Sequence, residues 1–174
     1  MALRFIQIFW GLLLVVLDFN INQIDILPDI LGYILIALGC RGLRDASPRF
    51  STAATLAWIM AILSVAGYAV RGNSIGFSLL SSAMDCAMMW FLLGGVMELA
   101  NSRQRQDLSQ RASSRRIAYV AIAALSTLIG YTIQSPGDGV VIGIALLIGM
   151  LVVLCLILHL IHRSIRELSD DPRW

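Results

Sequence analysis

The chain has no lysine: all thirteen of its cationic side chains are arginine, set against eleven acidic residues in a total of 174. Charged residues of both signs make up only 14%, where a soluble domain carries about 25%. Too little polar surface is present to cover a globule in water. The absence of lysine rules out a Ser–Lys dyad. Cysteine is scarce as well, and Cys40, Cys86 and Cys155 form neither a CxxC pair nor any zinc-ligand spacing. Gly-rich phosphate loops, HExxH and GxSxG motifs are missing. Nothing in the sequence implies a cofactor, and enzyme is the least favoured class.

What is abundant is apolar length. Hydrophobic residues make up 58% of the chain and its mean hydropathy is +0.80. A helix needs about 20 residues to cross about 30 Å of hydrocarbon. Six apolar stretches, near residues 3–17, 27–43, 52–70, 75–99, 117–133 and 140–162, use up almost the whole sequence. The expected fold is all-α: one polytopic domain over residues 1–174, a bundle of six transmembrane helices in three hairpins. Arg4 followed by an apolar run resembles a secretory signal, but Asp18-Phe19-Asn20 offers no small-residue cleavage site, so an uncleaved first helix is expected.

Orientation follows from the arginines. Arg4, the 41–49 connection, the 103–116 segment and the C-terminal tail hold all but Arg71. Positive charge is retained on the cytoplasmic side, so both termini are expected there, with the protein in the cell (inner) membrane. The polar loop from Arg103 to Arg116 carries five arginines against Asp107, a composition attracted to anionic lipid. It lacks the aromatic residues that stack on bases, which argues against nucleic acid.

Asp85 is the sharpest feature. It lies about ten residues into the fourth stretch, where a carboxylate costs at least about 2.5–3.5 kcal/mol. Ser74, Ser78, Ser81 and Ser82 precede it at helical intervals and draw a hydroxyl stripe from the outer surface towards it. Asp85 with Ser78, Ser81 and Ser82 is therefore a candidate proton or ion site; a dry hydrogen-bonded seam is the competing reading. No arginine is expected at matching depth, and Tyr33, Tyr68, Ser126, Thr127 and Tyr131 are the expected hydrogen-bond partners.

The first hairpin presents Asp18, Asn20, Asn22, Asp25 and Asp29. Positions one, three, five and twelve mimic a calcium loop, but Gln23 stands where the turn needs Gly, and Asp29 replaces the bidentate Glu. An outer acidic cluster that gathers cations, or a solvated loop that caps the second helix, fits better. Met84, Cys86, Met88 and Met89 are soft donors, yet read first as core filler. His159 and His162 lack a third ligand. Ala53, Ala57 and Ala61 form a small-residue ridge, and Gly139 with Gly143 a GxxxG, both expected to pack helices within the bundle or to make an oligomer contact. Asp29, Asp85 and Asp138 recur at near-equal separations, with Gly39 and Gly95 each ten residues after the first two, a pattern compatible with a hairpin repeat or with chance. Two functions stay open: a small transporter or channel-like protein for a proton, cation or small solute, and a non-catalytic membrane subunit, scaffold or immunity-type protein that binds another membrane protein or a second copy.

Overall fold

The computed structural model describes residues 1–16, 26–69, 75–132 and 138–169. These form six helices with no strand among them: α1 (Ala2–Val16), α2 (Ile26–Arg41), α3 (Pro48–Ala69), α4 (Ile75–Ser102), α5 (Gln106–Thr132) and α6 (Asp138–Ser169). Each helix packs on its neighbour in the chain, and α6 returns against α1, so the bundle closes into a ring. Three stretches are long and apolar enough to cross a membrane: Pro48–Ala66, Gly76–Ser102 and Ile142–Glu167. Ala2–Val15 is apolar but shorter.

Helical periodicity decides which residues face inward. Phe5, Ile8 and Leu12 are buried on α1, Tyr33, Ile36, Ala37 and Cys40 on α2, and Phe50, Ala53, Ala57 and Ala61 on α3. Steps of three, four and seven keep one stripe of each helix towards the core. The alanine ridge on α3 is thus inside the bundle. Phe5 and Phe50 meet edge to face, with ring centroids 6.4 Å apart, and the Phe50 ring lies against Gly95 of α4. Ser47 caps α3: its hydroxyl accepts from the Arg49 amide at 3.2 Å, and Pro48 occupies the first helical position, where no amide donor is needed.

The tightest seam joins α1 to α2. A Cβ on Gly11 would lie 2.6 Å from the Gly32 carbonyl oxygen, and one on Gly39 would lie 2.7 Å from that of Arg4. Hydrogen at these positions lets the two backbones touch. The GxxxG at residues 139 and 143 behaves differently. Gly143 has nothing near its missing side chain, because this part of α6 faces away from the bundle, so an intramolecular role for Gly143 is not met; the side chain position of residue 139 is outside the described set.

The expectation of a polar loop over 101–116 is corrected. Helix α5 begins at Gln106, and only residues 103–105 connect it to α4. Leu108 and Ala112, four residues apart, are fully buried and pull this segment onto the core. Asp107 sits in the first turn, where a negative charge complements the helix dipole. Gln104 takes a left-handed φ of 57° to close α4, a position where Gly is the usual choice.

Met1 meets Arg103, Arg4 lies against Gly42, and Arg105 pairs with Glu167. The N-terminus, the end of α6 and two connections therefore share one end of the ring. Every arginine among the described residues belongs to that end.

Candidate functional site

Asp85 lies inside the ring, and a phenol holds it. The Tyr119 hydroxyl of α5 donates to Asp85 Oδ2, and Tyr33 of α2 lies near enough to interact electrostatically with the same carboxyl. Both tyrosines are buried, at 3% and 6% exposure, while Asp85 is only partly buried. A phenol donor on the carboxyl replaces part of the water that burial removes from it. Tyr33 was expected from the sequence; Tyr119 was not. Counting the fifth span from 117 places Tyr119 at the membrane rim. Because α5 starts eleven residues earlier, Tyr119 falls near mid-helix, level with Asp85. Arg116 is three residues from Tyr119, but its guanidinium is turned away, onto Trp90 and Gly94, five and nine residues beyond Asp85 on α4.

The hydroxyl stripe is partly assembled. Ser82, one turn outward from Asp85, meets Thr127 of α5 at 3.2 Å, so Thr127 serves the stripe rather than Asp85 itself. Ser81 is partly buried and Ser78 exposed. The side chains of Ser74, Tyr68 and Tyr131 are outside the described set. Of the outer acidic residues, Asp18, Asn20, Asn22 and Asp25 also lie outside it. Asp29 is in the first turn of α2, one turn outward of Tyr33 and close enough to act electrostatically on that phenol. Asp29, Tyr33, Asp85 and Tyr119 thus form a run of alternating carboxyls and phenols. Asp29 begins its helix whereas Asp85 lies three turns into α4, so their even spacing in sequence does not put them at equal depth.

What surrounds the cluster matters as much as its members. Among the described side chains, none is buried on α1 beyond Leu12, on α2 before Tyr33, on α3 beyond Ala61, on α4 before Met88, on α5 beyond Tyr119 or on α6 before Val153. The core fills the arginine-bearing half of the ring and stops at the level of Asp85. Met88, Met89, Leu92, Leu93 and Val96 lie directly beneath it, each at most 1% exposed. Two of the four soft donors around Asp85 are therefore core, and among the described residues no group of three His, Cys, Asp or Glu side chains is placed to hold a metal.

At the arginine-bearing end, Glu98 pairs with Arg49 at 2.7 Å and accepts from Ser47. Arg163 bonds both Asp107, at 2.8 Å, and Glu167, and Arg105 joins the same network. His159 and His162 are exposed, and His162 stands 6.1 Å from the Phe9 ring.

Neither protein-family models, nor curated proteins, nor solved structures give a match to this chain.

Proposed function

We propose that this chain is a six-span integral membrane protein of the cell membrane, its termini cytoplasmic, that carries a proton or small cation with Asp85 as the binding group. One observation carries the reading: the Asp85 carboxyl lies within the ring where the packed half ends, held by the Tyr119 phenol of another helix. On the outer side the site faces serine and threonine hydroxyls and Asp29, which supply a polar approach. On the inner side the methionine and leucine layer blocks water. A polar approach on one side and a packed layer on the other is the arrangement that one state of an alternating cycle needs.

The chemistry at Asp85 is a change of hydrogen-bond polarity. As a carboxylate it accepts from Tyr119. Once it takes a proton it has an O–H of its own to donate, and Tyr119 must turn to accept it or move to the remaining carbonyl oxygen. Because Tyr119 belongs to α5, proton binding alters the tie between α4 and α5. A small monovalent cation among the same oxygens would have the corresponding effect.

A second reading rests on Gly143. Its open surface on α6, flanked by exposed Ile144, Leu147 and Ile148, suits a close approach by a helix of another membrane protein or of a second copy. In that reading the Asp85 cluster only fixes helix register.

Asp85→Asn separates the two. It keeps the shape and hydrogen-bonding capacity of the side chain and removes its titration. In sealed proteoliposomes with an internal pH dye, the wild type should dissipate an imposed proton or monovalent-cation gradient. Asp85→Asn should lose at least about tenfold of that flux while inserting normally. Unchanged flux in the variant, or none in the wild type for any of these ions, rejects the carrier.

A further inference from the structure

The arginine-bearing half contains a second unusual arrangement, away from Asp85. Arg49 of α3 and Arg116 of α5 converge over Gly94 of α4. A Cβ at Gly94 would stand 2.8 Å from Arg49 Nη1 and 3.4 Å from Arg116 Nη1. Arginines this close repel one another, and a single carboxylate, Glu98, serves the pair through Arg49. Among the described residues Arg116 has no acidic partner of its own: it lies over the Trp90 ring at 3.8 Å, and its Nε is closed off against protein without a hydrogen-bond partner. A buried donor left unmade costs on the order of 1–3 kcal/mol, so Arg116 is held here at a cost, with its terminal nitrogens turned towards those of Arg49.

We propose that Arg49 and Arg116 form a binding site for a phosphate oxyanion in the groove between α3, α4 and α5, with Glu98 holding Arg49 in place and Trp90 holding Arg116. Two guanidiniums match the geometry of phosphate, which accepts several charge-assisted bonds at once. Gly94 leaves room for the two guanidiniums to lie against α4 side by side. The ligand is either the headgroup of an anionic phospholipid or free phosphate. Surroundings favour the headgroup: Trp90 and Ile117 are 37% and 57% exposed beside the guanidinium, an aromatic and an aliphatic flank suited to the upper part of an acyl chain. The site does not depend on the role of Asp85.

The test measures ligand-induced thermal stabilisation of the detergent-solubilised full chain. The probes are mixed micelles with phosphatidylglycerol, mixed micelles with phosphatidylcholine, and inorganic phosphate alone. Arg116→Gln removes the orphaned donor. Gly94→Ala leaves both arginines in the chain but pushes Arg49 out of the groove. Arg111→Gln removes an exposed charge from the same helix. A site for the headgroup gives stabilisation by phosphatidylglycerol but not phosphatidylcholine, weakened at least about tenfold in apparent affinity by Arg116→Gln and by Gly94→Ala, and retained in Arg111→Gln. The same pattern with inorganic phosphate alone keeps the site and assigns it to the free anion. Equal losses in Arg111→Gln and Arg116→Gln would reduce the effect to diffuse attraction and overturn the proposal, as would equal stabilisation by the zwitterionic lipid or none by any probe.

Discussion

Along α4 the chain changes character at Asp85. From Met88 to Ala100 it presents a continuous buried stripe to its neighbours, whereas from Gly76 to Cys86 no described side chain is buried. The same division runs through α5 at Tyr119 and α6 at Val153. The arginine-bearing half is assembled like the interior of a soluble bundle, with interlocking glycines, an aromatic pair and capped helix starts. The other half presents Ser78, Ser82, Thr127 and Asp29 in a looser ring. A polar group survives within lipid only where protein encloses it or water reaches it. Packing density, more than the identity of any single polar residue, therefore divides the described residues into a densely packed part and a looser part.

The contrast is most easily broken by truncating side chains on either side of it. Phe50 is fully buried, wedged between Phe5 and Gly95, so Phe50→Ala should cost about 3 kcal/mol from the cavity it leaves. Ile148 on the outer part of α6 is 54% exposed, and Ile148→Ala should cost under about 0.5 kcal/mol. Unfolding midpoints in mixed micelles of increasing detergent denaturant measure both. Comparable losses would mean that the two halves are equally packed.

Glycines give the next test. A methyl on Gly39 meets the Arg4 carbonyl and the Ile8 side chain at distances no real Cβ adopts, while one on Gly143 enters open space. Gly39→Ala should cost about 1–3 kcal/mol through forced separation of α1 and α2. Gly143→Ala should leave stability of the isolated chain unchanged or raise it slightly, since alanine is the better helix former. If Gly143→Ala instead dissociates a dimer, the outer face of α6 is an interface and the second functional reading gains.

These pairs also show what the sequence makes legible. The helical class and the positions of the six apolar stretches follow from hydropathy. The Ala53–Ala57–Ala61 ridge is visible from its spacing alone. Gly11, Gly32 and Gly39 are harder to see, because the seven-residue step from Gly32 to Gly39 and the place of Gly11 opposite it matter only once α1 and α2 are known to face one another. Tyr119 was hidden by counting depth from the first apolar residue of the fifth stretch. Leu108 and Ala112, buried four residues apart, were the available signal that the helix begins earlier. Arg116 reads as one more loop charge until that correction brings it beside Trp90. The split between a packed and an open half has no local signature, since isoleucine and leucine face lipid and protein alike.

The smallest effect belongs to the outermost layer of the packed half. Arg105, Asp107, Arg163 and Glu167 tie the start of α5 to the end of α6. Their side chains range from 20% to 46% exposed, so water screens them and the network adds little to stability. Glu167→Gln should lower the unfolding midpoint slightly at low ionic strength, since it removes the carboxylate that two arginines share. At 1 M salt, where charges are screened beyond about 3 Å, the difference from the wild type should shrink towards zero. Phe50→Ala, by contrast, should keep its full deficit at every salt concentration, because a cavity carries no charge to screen. A Glu167→Gln deficit that persisted undiminished in high salt would show that this layer is held by packing as well, and would extend the dense half of the ring to its very end.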